Sequence, residues 1–188
     1  LGPDNGLFSY VLARTPPTAI VEITNPAYML ETCSNTFHGR DVFAPAAAHL
    51  ARGTPTAALG PAVAQIATLP PPRLEVTRGQ ICGEVIHIDR FGNVITSIGG
   101  LSWEEDSALL LTPRFGSQSD QVRFPLYSSI SLGGATLDGI QASYGLAPPG
   151  RPLALVNSAG QLEIAINQGH AAQAFGVAVG DPVIVRYP

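Results

Sequence analysis

Residues 69–98 read "LPPPRLEVTRGQICGEVIHIDRFGNVITSI", and the change of pattern inside this stretch decides the fold. Three consecutive prolines, Pro70 to Pro72, forbid regular helix and give a stiff, extended connector. From Gly79 onward two apolar, β-branched runs flank the turn "DRFGN". That is strand chemistry on both sides of a reversal. The segments "SALLLTP", "QVRFPLYSSI", "RPLALVNSAGQLEIAINQ" and "DPVIVRYP" continue in this manner. Their spacing suits a small antiparallel barrel or sandwich.

Upstream of the prolines the pattern is mixed. "TAIVEITNP", Thr18 to Pro26, reads as a buried strand stopped by Asn-Pro. "VFAPAAAHLARG", Val42 to Gly53, reads as a helix. Asp41 would cap its N-terminus, Pro45 is tolerated near the first turn, and Gly53 marks the stop. "GPAVAQIATL", Gly60 to Leu69, is a further short helical candidate. The expected organisation is α/β over residues 1–68, a proline-rich connector over 69–78, and an all-β, barrel-like domain over 79–188. No internal repeat or low-complexity tract is evident. The opening "LGPDNGLFSYVLAR" joins strong turn chemistry to the start of a helix, so a preceding segment is expected.

Composition narrows the function classes. Apolar residues make up 45% of the 188 and charged residues 13%, the pattern of a globular chain with a core. The net charge is -4 and all ten basic residues are Arg, without a basic cluster, which disfavours a nucleic-acid partner. No apolar run approaches the roughly 20 residues of a membrane span. A cytoplasmic protein is therefore expected. Cys33 and Cys82 do not form a metal pattern and are expected to be buried free thiols. His38, His49, His87 and His170 show neither HxH nor HxxxH spacing, so no metal site is expected.

Three polar loops interrupt this apolar chain. In "TFHGRD", Thr36 to Asp41, local chemistry alone has Asp41 capping a helix, Arg40 pairing with a surface carboxylate and His38 as a loop residue. The alternative is that His38, beside Gly39 and just before a helix, approaches a bound substrate, where imidazole is suited to acid–base work. In "HIDRFGN", Asp89, Phe91 and Asn93 occupy a hairpin turn. In "NSAGQLEIAINQG", Ser158 to Gly160 form another. Each loop alone is ordinary turn chemistry; together they point to a site.

In chain order, "GPDNG", "TFHGRDVFAPAAAHLA", "HIDRFGNVITSI" and "NSAGQLEIAINQG" resemble the adenosine-forming S-adenosylmethionine hydrolases, relatives of fluorinase and chlorinase. The resemblance covers essentially the whole chain. It implies an α/β N-terminal domain, incomplete here, followed by a β-barrel C-terminal domain. It also implies a homotrimer whose sites lie between one subunit's N-terminal domain and its neighbour's C-terminal domain. The resemblance implies a further part ahead of "GPDNG", from which the Asp and Arg that help activate water would come; neither is assigned among these 188 residues.

The implied reaction is attack of water or hydroxide at the ribose C5′ of S-adenosylmethionine, giving adenosine and L-methionine, with no cofactor and no metal. By the same resemblance His38 is the catalytic histidine. Asp89 holds the methionine ammonium, Phe91 flanks the ligand and Asn93 bonds the adenosine moiety. Ser158 serves the amino-acid end and Glu163 adds a second carboxylate there. The backbone around Asn167 and Gln168 reads the adenine edge, and Tyr144 is a candidate ring to stack on it. His49, His87 and His170 have no matching role. In the halogenases the stretch corresponding to Thr36–Gly39 resembles Thr-Phe-Tyr-Ser, so "TFHG" favours water over halide. A halogenase, or a non-catalytic binder of adenosine or S-adenosylmethionine, are the alternatives.

Overall fold

The computed structural model describes residues 1–105, 107–115 and 120–188. The chain forms two compact units, Leu1–Pro70 and Pro71–Pro188.

In the first unit, helix α1 spans Ser9–Arg14 and α2 spans Ala44–Ala51. A π-helical turn, Gly39–Phe43, leads into α2. Its cause is Pro45. A regular helix would have residue 45 donate to the carbonyl of Asp41, but proline has no N–H. The Asp41 carbonyl instead accepts from Leu30 N at 2.9 Å, and Ala44 N reaches back five residues to Gly39 O.

The α/β character expected of this unit is present only in part. Residues 20–24 are extended and bond to residues 59–63 through Glu22 N to Pro61 O, Thr24 N to Leu59 O and Val63 N to Ile20 O. Only one isolated bridge results, Val21 with Ala62. Ile20, Val21 and Ile23 are half-buried rather than buried, because among the described residues the segment has a neighbour along one edge only. Gly60–Leu69 is not helical either. Pro61 and Val63 are taken up in bonding to the extended segment, which a helix would forbid.

The second unit is mostly β. Its strands are β1 (Leu74–Thr77), β2 (Gln80–Ile88), β3 (Val94–Gly99), β4 (Leu101–Glu104), β5 (Ala108–Leu111), β6 (Val122–Pro125), β7 (Ser129–Leu132), β8 (Ala135–Asp138), β9 (Ile140–Gln141), β10 (Pro152–Val156), β11 (Gln161–Ile166) and β12 (Pro182–Arg186). Strand β1 thus lies inside the stretch read as connector. The main sheet runs β8-β7-β12-β2-β3-β11-β10-β9, with β1 added on β2. Its two ends, β8 and β9, are separated in sequence by Gly139 alone, so the chain itself draws the sheet into a nearly closed, barrel-like form. Strands β4, β5 and β6 form a separate sheet. A short helix, α3 (Ala171–Phe175), follows β11.

Alternation decides which side chains fill the interior. Ile81 and Val85 of β2, Val94 and Ile98 of β3, and Leu162 and Ile164 of β11 enter one buried cluster. The intervening residues of β11, Glu163 and Ala165, are buried on the opposite face. There Ala165 packs with Ala147, Leu153 and Leu155, under the segment 142–150. Two buried hydroxyls bond to backbone carbonyls: Thr96 Oγ1 donates to Leu162 O at 2.9 Å, and Ser97 Oγ to Arg73 O at 2.5 Å. Both cysteines are free, but Cys33 is exposed and Cys82 half-buried, not buried as expected. Among the described residues no helix is long and apolar enough to cross a membrane.

Ile164 is fully buried in the main cluster. Ile164→Ala should cost about 2–5 kcal/mol of stability through lost burial and the cavity left behind. Urea unfolding monitored by circular dichroism measures this directly, and a loss below about 1 kcal/mol would place Ile164 outside the core.

Candidate active site

The reversal between β2 and β3 is organised by one carboxylate. Asp89 Oδ1 accepts the backbone N–H of Phe91 at 2.8 Å and of Asn93 at 2.9 Å. Its Oδ2 accepts the Asn93 side-chain amide at 3.1 Å. Gly92 turns the chain at φ +84°, and a Cβ there would lie 2.2 Å from the His170 ring. His170 in turn caps α3, its Nδ1 accepting from Gln173 N, while Ala172 N donates to Gly92 O. The loop is therefore held from inside by Asp89 and from behind by α3. Sequence reading gave His170 no role, since its contact with the turn is non-local.

Two further residues join this turn from distant segments. Tyr144, on the segment over the outer face of β11, donates its hydroxyl to Glu163 Oε1. The same hydroxyl lies 3.5 Å from the Asn93 amide nitrogen. Glu163 is only 5% exposed and Asn93 9%, whereas Tyr144 is 41% exposed, so the cluster has a buried base and an open rim. Burial, the bond to Glu163 and the negative charges of Glu163 and Asp89 all push the Tyr144 phenol up. It stays a proton donor at neutral pH.

The other expected residues divide. Phe91 is 68% exposed at the tip of the turn, with the Arg90 guanidinium 5.8 Å from its ring centre. Asn167 is committed to the fold: its side chain donates to Ala147 O at 2.7 Å, its N–H to Arg151 O, and its C=O accepts from Gly150 N. Gln168, in the left-handed region at φ +56°, makes no backbone hydrogen bond among the described residues. Ser158 is exposed in the β10–β11 turn, at the opposite end of that hairpin from Asn167, and does not join the cluster.

In the first unit, His38 stands at the N-cap of the π-helical turn and is exposed. It lines an open, largely apolar cleft of about 750 Å³ with Phe8, Ile20, Ile23, Val42 and Phe43. Beyond its chain neighbours and its own helical turn, nothing lies within 4 Å of where a Cβ on Gly39 would be. Asp41 does not cap the helix as expected. It sits inside the first turn, and its fully buried carboxylate reaches back to Ser34 N at 2.8 Å. Arg40 grips it through Nε at 2.5 Å and a second nitrogen at 3.1 Å, and lies 5.0 Å from the centre of the Phe37 ring. The Arg40 partner is thus the adjacent buried acid, not a surface carboxylate. Among the described residues no group of His, Cys, Asp and Glu side chains is arranged to hold a metal.

Residues 1–60 match the family model described as the SAM hydroxide adenosyltransferase N-terminal domain, and residues 83–184 match that of its C-terminal domain. The chain belongs to the SAM hydroxide adenosyltransferase family. It is 37% identical over 190 residues to the (R)-S-adenosyl-L-methionine hydrolase of Thermus thermophilus, covering 97% of this chain and 64% of that protein. It is 38% identical over 189 residues to the enzyme of the same name from Salinispora arenicola, covering 98% and 64%. A solved structure of an uncharacterized conserved protein from Thermotoga maritima matches with a TM-score of 0.65 at 29% identity, covering 98% of this chain and 65% of that one. The chain thus spans just under two thirds of the length of these relatives.

The Arg40–Asp41 pair makes stability depend on pH. The bond from Arg40, then that from Ser34 N, holds the Asp41 carboxyl below the usual carboxylate range. A depressed folded-state value means the stabilisation is complete above that range, and is lost as pH falls through the depressed value. Asp41→Asn should therefore lower stability at neutral pH and flatten its decline in acid. Urea midpoints from pH 7 to pH 3 that fall in parallel for both proteins would contradict this.

Proposed function

We propose that the protein hydrolyses S-adenosyl-L-methionine to adenosine and L-methionine, as a homotrimer with its site at the subunit interface. The observation that carries this reading is the meeting of Asp89, Asn93, Tyr144 and Glu163. Three separate segments bring them into one hydrogen-bonded, acidic cluster. Such a cluster suits a ligand that combines a cationic amino-acid end with a nucleobase rich in donors and acceptors. In this reading Asp89 takes the substrate ammonium and Asn93 the adenine. Gln168, whose backbone makes no hydrogen bond among the described residues, lines the base and Phe91 covers it.

The chemistry asks little of the protein beyond placement. The sulfonium is already a good leaving group, so the need is a nucleophile held in line with the C5′–S bond. The water oxygen bonds to C5′ as the C5′–S electrons return to sulfur, forming the methionine thioether. The water proton passes to His38. Glycine at position 39 carries no hydroxyl to hold a halide, which favours water as the nucleophile.

Release of adenosine and methionine from S-adenosylmethionine, with chloride varied as a control, tests the reading. His38→Ala should lower turnover by roughly 10²–10⁴-fold. Adenosine affinity should change little in that variant, because the imidazole addresses water. Asn93→Ala should do the opposite and weaken adenosine binding by about 1–3 kcal/mol. Wild-type turnover in the His38 variant would return that residue to a plain loop position. Light scattering that found a fully active monomer would remove the trimer.

A further inference from the structure

The cluster around Asn93 is a hydrogen-bond chain with a fixed direction. An ionised carboxylate only accepts. The Asn93 atom that faces Asp89 Oδ2 is therefore the amide nitrogen, and the Asp89 carboxylate is itself held by two backbone N–H groups. Tyr144 gives its single hydroxyl proton to Glu163. Toward Asn93 it can then offer only a lone pair, which takes the second amide hydrogen. Both N–H groups of Asn93 are thus committed to the protein. Its Oδ1 has no partner among the described residues.

We propose that Tyr144 and Glu163 are positioning residues that set base specificity: they keep Asn93 presenting an acceptor alone, so the site takes a 6-aminopurine and rejects a 6-oxopurine. The inference rests on the reading of the ligand as an adenosine compound. A 6-amino group donates to Oδ1. A 6-oxo group sets lone pairs against lone pairs and finds no free N–H, and a site built around one hydrogen-bond polarity discriminates strongly for that reason. Tyr144 acts through its hydroxyl and through Asn93. Removing the hydroxyl frees one Asn93 N–H to donate to a 6-oxo group.

Calorimetric titration of the protein with adenosine and with inosine tests this, the two ligands differing at that position. The wild type should prefer adenosine by about 10–100-fold. In Tyr144→Phe the preference should shrink by about tenfold, chiefly because inosine binds better. Glu163→Leu should behave alike, whereas Glu163→Gln should keep the wild-type ratio, since an amide oxygen still accepts from Tyr144. Thermal melts establish that each variant is folded, and the half-exposed Tyr144 is the position least able to disturb the core. An unchanged ratio in Tyr144→Phe, with adenosine still preferred by the wild type, overturns this inference alone. Failure of the wild type to bind either nucleoside overturns the adenosine reading, and this inference with it.

Discussion

The Asp89 carboxylate accepts three hydrogen bonds from the loop it begins, and much of the second unit is arranged around that fact. Strands β2 and β3 are the central pair of the main sheet, and both contribute side chains to its buried cluster, so the turn that joins them is well anchored. A carboxylate that bonds both backbone and side chain stiffens the loop without recourse to an apolar contact. Gly92 then lets His170 and the start of α3 close in behind it. The result is a loop held by hydrogen bonds on one side and by α3 behind it. Rigidity of this kind matters because a site held loosely loses most of the advantage of placement.

A comparable economy governs the first unit. Pro45 removes one donor from the helix, and the carbonyl so released accepts from Leu30. The same residue, Asp41, uses its side chain to hold Ser34 and Arg40. One buried acid thereby bonds the loop on both sides of His38, which stands at the N-cap of the π-helical turn. Such turns are frequent at functional sites because they re-aim a side chain at small cost to the helix.

Much of this was legible in the sequence. The alternation of Ile81, Gly83 and Val85, the reversal at "DRFGN" and the run "QLEIAI" predicted the hairpins because strand periodicity is a local signal. What failed was non-local. "TAIVEITNP" has the composition of a buried strand, but burial depends on neighbours along both edges, which composition does not reveal. "GPAVAQIATL" has helical residues, yet Pro61 and Val63 pair with the extended segment instead. Asp41 was identified as a helix-terminal acid, and only the fold shows that its partner is Ser34. Likewise, nothing local ties Tyr144 to Glu163, which lies across the segment 142–150. Motifs singled out Asp89, Asn93, Tyr144 and Glu163, but not their hydrogen bonding to one another.

In the proposed reaction water, positioned with His38, attacks C5′ of S-adenosylmethionine. Turnover in water enriched in heavy oxygen, with mass analysis of both products, tests it most directly. The expected products are adenosine carrying one heavy oxygen at its 5′-hydroxyl and unlabelled methionine. Unlabelled adenosine, a 5′-halogenated nucleoside, or no cleavage of the C5′–S bond at all would contradict it.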